Sequence, residues 1–523
     1  MAAREWRGRE NRTRAYKGIH IMKVLLRIAS VLAAACLSLA AGPMAHAAPK
    51  TELVATINSN VNFLYPGRGV AAEDYNFGML VYNGLVGIDE KLQLVPELAT
   101  SWSSDAAARV WTFKLRQGVK FSDGKPFVAA DVTHTFALLA DPALASRARS
   151  TTEMVDHIET PDDHTVKFVL KEPYGAWPNM LIERQLKIVP DGHSAEDLMK
   201  KPVGTGPFML ESYTPGDRLV VKKNPNYWEP GLPKLDKVTL RIMPEDAAKV
   251  AALSAGDVDI LWNAPLESIK ELKAIPNVVV DEAPTSTWDG FVMNNQVKPF
   301  NDVRVRRAFE LAVDKKQLVE FALFGAGAPT HTPVPPNSPA FNKDISFTPD
   351  PDGARKLLAE AGYPKGFSIT LNVPVGRPTR ERAAVALQQM LKQIGVTVKL
   401  ERVPYSRWGA TIAGKSPFYM DGYLARPTLD TAIYPWYHST GSWNNQMWHF
   451  KSERIDAVLD KARLETDPDK QNALYKTFQQ YAVEDVPGVV MYTINFVTAY
   501  TSSLKGYHTH PYSWMDLRSA YFE

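Results

Sequence analysis

The 523-residue chain has one cysteine, Cys36, and it lies in an apolar stretch near the N-terminus. If that stretch is removed as a signal, the remaining chain has no cysteine. Disulfides, thiolate catalysis and Cys-ligated zinc are then excluded. Bilayer-length apolar runs are also missing. The longest, residues 28–41, has 14 residues, against roughly 20 needed to span a membrane. Catalytic signatures are missing too: the chain has no G-x-S-x-G elbow, no G-x-x-x-x-G-K-[ST] phosphate loop and no H-E-x-x-H zinc helix. Histidines are scattered. His508 and His510 are two apart and His438 stands eleven before His449, and neither spacing is a metal-ligand pattern. No enzyme, metal site or cofactor is expected.

What is present begins with a secretory signal. Lys23 and Arg27 precede the apolar run with Val31, Leu32, Leu37 and Leu39, and Ala45-His46-Ala47 follows as a cleavage site. Residues 1–21 carry Arg4, Arg7, Arg9, Arg12, Arg14 and Lys17 ahead of Met22, which is the expected translation start. A twin-arginine signal is the rival, but no Arg-Arg pair stands before the run. Ala33-Ala34-Ala35-Cys36 is a poor lipoprotein site because it lacks the leucine three residues before the cysteine. Residues 1–47 hold 8 Lys/Arg and 2 Asp/Glu, which leaves 52 basic against 55 acidic residues, a net of −3. Nucleic-acid binding has no support in that charge.

About 476 residues exceed one ordinary hydrophobic core, so two or three lobes are expected. Phe367, Ile369, Leu371 and Val373 alternate as on a strand. Ala384, Leu387, Leu391 and Ile394 recur as on a helix, Gly395 stops it, and Val396, Val398 and Leu400 alternate again. That is a parallel strand-helix-strand unit. Asp467 and Pro468 start a helix with Leu474, Phe478 and Tyr481 on its buried face, and Asp302 caps a segment running through Ala308, Leu311 and Leu318. Strands dominate from Val95 to Phe127 and from Phe208 to Ile242. The class is α/β with mixed sheets.

Several blocks resemble the extracellular solute-binding proteins of family 5, which includes dipeptide-, oligopeptide- and nickel-binding proteins. They are Tyr82-Asn83-Gly84-Leu85-Val86, Leu94-Val95-Pro96-Glu97-Leu98-Ala99 with Trp102, Trp111-Thr112-Phe113-Lys114-Leu115-Arg116, Asp123-Gly124-Lys125-Pro126-Phe127, Pro202-Val203-Gly204-Thr205-Gly206-Pro207-Phe208, Asn224-Pro225-Asn226-Tyr227-Trp228 and Gly256-Asp257-Val258-Asp259-Ile260. Asn294, Arg304 to Ala308 and Asp314 follow in order. Most of these read as fold-holding: Asp123-Gly124 as a hairpin turn, Gly204 and Gly206 as positive-φ or close-packing positions, and Asn224-Pro225 as a turn start.

The resemblance implies a type II periplasmic binding protein fold in its large three-subdomain form, with mixed sheets and a two-segment hinge near Trp288 and Val490. Lobe I would comprise a core subdomain (48–75, 203–287 and 490–523) and an inserted subdomain (76–202). Lobe II would be 288–489. It also implies a monomer in the periplasm that captures a peptide or peptide-like solute for inner-membrane ABC permease subunits. A hydrolase or a ligand-sensing receptor using the same clamp is the alternative.

In dipeptide-binding relatives, the segment matching Gly422-Tyr423-Leu424-Ala425-Arg426-Pro427-Thr428-Leu429-Asp430 carries an aspartate for the peptide α-amino group. Here that place falls at Ala425 or Arg426. The segment and Tyr434-Pro435-Trp436-Tyr437-His438-Ser439 resemble a Gly-Arg-Pro branch instead. Arg426 is therefore expected in the cleft beside an anionic ligand group, unless it pairs with Asp421 or Asp430. Among 12 Trp and 20 Tyr, Tyr405, Trp408, Tyr423, Trp443 and Trp288 are candidate cleft walls. His438 and Asn294 complete the ligand-binding set.

Exported protein is expected to begin near Ala48, as intact-mass measurement will show; a diacylglyceryl-modified Cys36 at the N-terminus would overturn this.

Overall fold

The computed structural model describes residues 50–90, 92–426 and 428–523. The expectations for Met22, Cys36 and the cleavage site lie outside the described residues.

An eleven-stranded mixed sheet runs through the chain. In chain order its strands are β1 (Glu52–Ile57), β2 (Phe208–Thr214), β3 (Arg218–Lys223), β4 (Lys237–Ile242), β5 (Ile260–Leu261), β6 (Val278–Met293), β7 (Gly327–Pro329), β8 (Phe367–Val375), β9 (Val396–Pro404), β10 (Phe418–Tyr423) and β11 (Val489–Thr501). The spatial order is β9-β8-β10-β6-β11-β5-β1-β4-β3-β2, with β7 added on β11. The long antiparallel pair β6/β11 sits in the middle. One arm of the sheet grows from β11 through β5, the other from β6 through β10.

The β6/β11 register breaks between Pro284 and Trp288. Pro284 brings no N–H to the ladder, and hydroxyls satisfy the backbone beside it. Thr285 Oγ1 donates to Ile494 O at 2.7 Å and accepts the Thr287 N–H at 2.9 Å. Past the break, β6 pairs with β10 from Trp288↔Tyr423 to Met293↔Phe418.

The buried apolar residues divide in the same way. One core draws on residues 53–262 and 500–522, with Ala425 packed against it. Two others draw on residues 288–492, and a small fourth lies along β5 and β11. A separate antiparallel sheet of four strands (Ala99–Ser104, Val110–Leu115, Thr165–Leu170, Val155–Asp162) belongs to the first core.

Four helices matter for the cleft: α1 (Pro378–Gln393), α2 (Leu429–Tyr437), α3 (Glu453–Leu464) and α4 (Pro468–Asp485). β8, α1 and β9 form the expected crossover, parallel from Phe367↔Val396 to Val375↔Pro404. Gly395 takes φ +85°, as a helix stop requires. Asp467 caps α4 by accepting from the Asp469 and Lys470 N–H groups. Its fully buried face is Tyr475, Phe478, Gln479 and Ala482, with Leu474 and Tyr481 only partly covered at the edges. The Asp302 segment is two helices, not one. Val303–Ala312 ends at Val313, and Asp314 caps Lys315–Leu323 by accepting the Gln317 N–H.

Gly204 and Gly206 serve close packing rather than positive φ. A Cβ on Gly204 would lie 2.1 Å from Val81 O, and one on Gly206 2.5 Å from Val81 C. Both neighbours are backbone and cannot yield as a side chain can. Gly204→Ala is expected to lower unfolding free energy by about 2 kcal/mol or more, read by urea denaturation against wild type.

Candidate ligand-binding cleft

The chain that leaves β10 crosses the β6/β11 break, held there by side-chain hydroxyls. The Ala425 N–H donates to Thr287 Oγ1 at 3.0 Å and the Arg426 N–H to Ser286 Oγ at 3.3 Å. Two cavities flank this crossing. One, of about 450 Å³, is lined among others by Ile88, Asn179, Ser286, Arg426, Tyr475 and Tyr512. The other, of about 630 Å³, is lined by Asn58, Trp262, Thr285, Thr287, Leu424 and Phe496 among others. Each takes residues from before and after the β6 strand. Leu424 is 69% exposed, an apolar side chain presented to open space at the crossing.

Arg426 is free of both aspartates that could have neutralised it. Asp421 is held by Arg380 at 3.0 Å, and Arg380 also binds Asp289 at 2.7 Å. Asp430 is gripped by Arg463 at 3.1 and 2.9 Å and accepts the Tyr174 hydroxyl at 2.7 Å. The Arg426 guanidinium instead lies 4.2 Å from the Tyr423 ring centroid. Its Nε is buried without a hydrogen-bond partner among the described residues, an orphan donor of the kind a ligand atom satisfies. Across from it, burial raises the Glu183 carboxyl pKa, and Arg184 and then Arg426 draw it part of the way back. Arg184 donates to Tyr512 O at 3.2 Å. The group carries two guanidiniums against one carboxylate.

The other expected site residues lie elsewhere. Trp288 is 1% exposed and packs against Trp436 at 5.0 Å. Trp408 is buried beside Tyr419. These two are core residues, because the apolar area of an indole is best covered inside. Tyr405 is exposed under the Arg377 guanidinium at 4.1 Å and lines neither cavity. Trp443 stands behind Tyr423, donating to its hydroxyl at 3.3 Å. His438 is buried, stacked on Tyr434 at 4.1 Å with Nε2 3.3 Å from Asp460. Asn294 closes a turn by accepting the Gln296 N–H. Of the set, Arg426 lines one of these two cavities, with Tyr423 supporting it. Ser286, Tyr475 and Tyr512 were missed. The hydroxyl run Thr285-Ser286-Thr287, just before Trp288, was a readable signal, as was the Glu183-Arg184 pair inside an apolar stretch.

With this geometry in view, comparison with known proteins is decisive. Residues 93–445 match the family described as bacterial extracellular solute-binding proteins, family 5 Middle. The chain belongs to this family. The glutathione-binding protein GsiB of Escherichia coli K12 is 29% identical over 501 residues, 93% of this chain and 96% of that protein. HbpA2 from Haemophilus parasuis superposes with a TM-score of 0.83 at 24% identity, over 90% of this chain and 100% of that one. DppA from Helicobacter pylori, an ABC transporter-associated periplasmic binding protein solved with peptide STSA, gives 0.73 at 27%, over 91% and 98%. The expected fold is thereby established, and solute capture for an ABC importer is the work of this family 5 protein. Among the described residues, no helix is long and apolar enough to cross a membrane.

His510, next to the cavity residues Pro511 and Tyr512, accepts the Tyr512 N–H at Nδ1 (3.1 Å) and donates from Nε2 to Ile88 O (3.2 Å). The neutral ring satisfies both bonds. Burial lowers its pKa from the ordinary 6.5, against the Ile88 carbonyl and the charges of Asp516, Glu90 and Asp89. Above 6.5 both folded and unfolded rings are neutral. Below it the unfolded ring takes a proton and the folded one resists, so stability is lost as pH falls toward the folded pKa. Urea denaturation at about pH 7.5 and 5.5 is expected to show a loss of at most about 1.4 kcal/mol per pH unit from this group, a component absent in His510→Asn.

Proposed function

We propose that the protein captures a peptide or peptide-like organic solute bearing an anionic group in the periplasm, and passes it to inner-membrane ABC permease subunits without turnover. Lobe I (48–75, 203–287 and 490–523, with the insertion 76–202) and lobe II (288–489) act as a clamp, and the monomer suffices. The observation that carries the anion is the Arg426 Nε, buried without a partner among the described residues, while the neighbouring Asp421 and Asp430 are taken by Arg380 and Arg463. A guanidinium offers two parallel hydrogen bonds to a carboxylate or phosphate, whereas it repels an α-amino group. The two cavities leave space for a ligand lying across the crossing, with an apolar portion against Leu424 and Phe496. The relative's ligand, glutathione, is a tripeptide with two carboxylates and makes a suitable first probe.

Mass spectrometry of the solute that co-purifies will name the class. Calorimetry with that solute and with glutathione then tests the residue. Losing a desolvated charge-assisted pair costs about 2–5 kcal/mol, or roughly 30- to several-thousand-fold in affinity. Arg426→Ala should show that loss, and Arg426→Lys should recover part of it. Binding by a folded Arg426→Ala within about threefold of wild type would end the proposal. An equal loss toward an analogue lacking the anionic group would assign Arg426 to loop support instead.

A further inference from the structure

A third cavity, of about 470 Å³, is lined by Ser150, Met154, Tyr174, Met180, Asp430 and Arg463 among others. Asp430 also lines the Arg426 cavity, so one thin partition separates the two spaces. The partition is a contact between the insertion (76–202) and the α2–α3 region. Tyr174 Oη donates to Asp430 Oδ2 at 2.7 Å, the Gly175 N–H donates to Arg463 O at 3.0 Å, and Arg463 holds Asp430 through two nitrogens. Arg463 in turn lies 3.4 Å from the centroid of the Tyr434 ring. Tyr174 is 4% exposed and the Asp430 side chain 7%. Gly175 leaves no room for a side chain: a Cβ would meet Glu465 O at 2.5 Å and Leu464 O at 2.8 Å.

We propose that Tyr174, Gly175, Asp430 and Arg463 form a latch that holds the lobes closed by protein contacts alone and shuts the outer end of the ligand cavity. Asp430 and Arg463 sit in lobe II and pair there whether or not the clamp is shut. The Tyr174 hydroxyl and the Gly175 N–H come from lobe I and meet them only on closure. A neutral hydroxyl donating to a buried carboxylate is among the stronger hydrogen bonds. The absent side chain at Gly175 lets two backbones touch at the same point. A contact made only in the closed state shifts the equilibrium toward that state. The latch therefore sets how far ligand-free protein is already closed, and hence how much of the ligand's binding energy closure consumes.

This rests on the two-lobe clamp, and the experiment separates the two ideas. Spin labels at Asp123→Cys and Lys399→Cys, both exposed and one on each lobe, report the lobe separation in ligand-free protein carrying Cys36→Ser. Wild type is expected to show a short and a long distance. Tyr174→Phe, which removes one oxygen and leaves the Asp430–Arg463 pair intact, should lower the short-to-long ratio about tenfold. Gly175→Ala should abolish the short distance. Two distances whose ratio stays within about twofold of wild type in both variants would overturn the latch. One unchanging distance in wild type and both variants would overturn the clamp as well.

Discussion

The pairing of β6 with β11 ties the molecule together, because the two arms of the large sheet join only through it. Buried backbone N–H and C=O groups must find partners, so a ladder cannot simply stop at a hinge. Here it is interrupted from Pro284 to Trp288, and Thr285, Ser286 and Thr287 supply hydroxyls for neighbouring backbone groups. A hydroxyl can rotate to follow a moving partner, which a ladder amide cannot. The interruption keeps the backbone satisfied while leaving a soft point between two stiff strands, and a clamp closes at such a few-residue hinge. Ala425 and Arg426 are anchored to two of these residues, Thr287 and Ser286, so movement at the break would carry this segment with it.

The second organising feature is where charge is left over. In low dielectric, every carboxylate and guanidinium needs a partner. Arg380 serves Asp289 and Asp421, and Arg463 serves Asp430. Burial pushes the Asp421 carboxyl pKa up even with Arg380 beside it. Those assignments consume the acids nearest in sequence to Arg426. Arg184 and Glu183 act electrostatically on one another and on Arg426, while Glu465 and Asp469 line the Arg426 cavity beside the paired Asp430. The proposed preference for an anion rests on the Arg426 Nε that the Arg380 and Arg463 pairs leave without a partner among the described residues, not on the net charge of the lining.

Much of the architecture could be read from the sequence because it depends on local pattern. The three elements of the β8-α1-β9 unit, the Asp467 cap and the Asp123-Gly124 turn each rest on a short local run of residues, and each formed where its periodicity or turn chemistry placed it. Gly124 takes φ +92° and Asp123 Oδ1 accepts the Lys125 N–H at 3.0 Å. The Asp302 helix was read too long because its apolar spacing continues past Val313, while the cap at Asp314 restarts the helix. The cleft was harder. Aromatic content does not reveal which rings face a cavity: Trp288, Trp436 and Trp448 pack edge-on or tilted against one another inside one core. Arg426 stood out through position in a family segment. Its freedom from Asp421 and Asp430 depends on Arg380 and Arg463, which lie about 40 residues away on either side and which no local pattern connects to it.

These elements meet in the energetics of closure. In the proposed clamp, Arg184 belongs to the insertion and Arg426 to the segment after β10, so closure would bring two cations toward each other. Burial lowers the Arg184 pKa, Glu183 opposes that, and Arg426 adds to the lowering. Like charges approaching in a medium of reduced dielectric cost far more than in water. Glu183 offsets part of that cost, and an anionic ligand between the guanidiniums offsets the rest. In the open state the same ligand would meet Arg426 alone, in water, where the interaction is weak. A ligand shifts a conformational equilibrium only by its differential affinity for the two states. A neutral solute of the same shape gains contacts on closure but does not relieve the repulsion, so it closes the clamp less. In the proposed clamp, the charge that selects the ligand would also couple binding to closure.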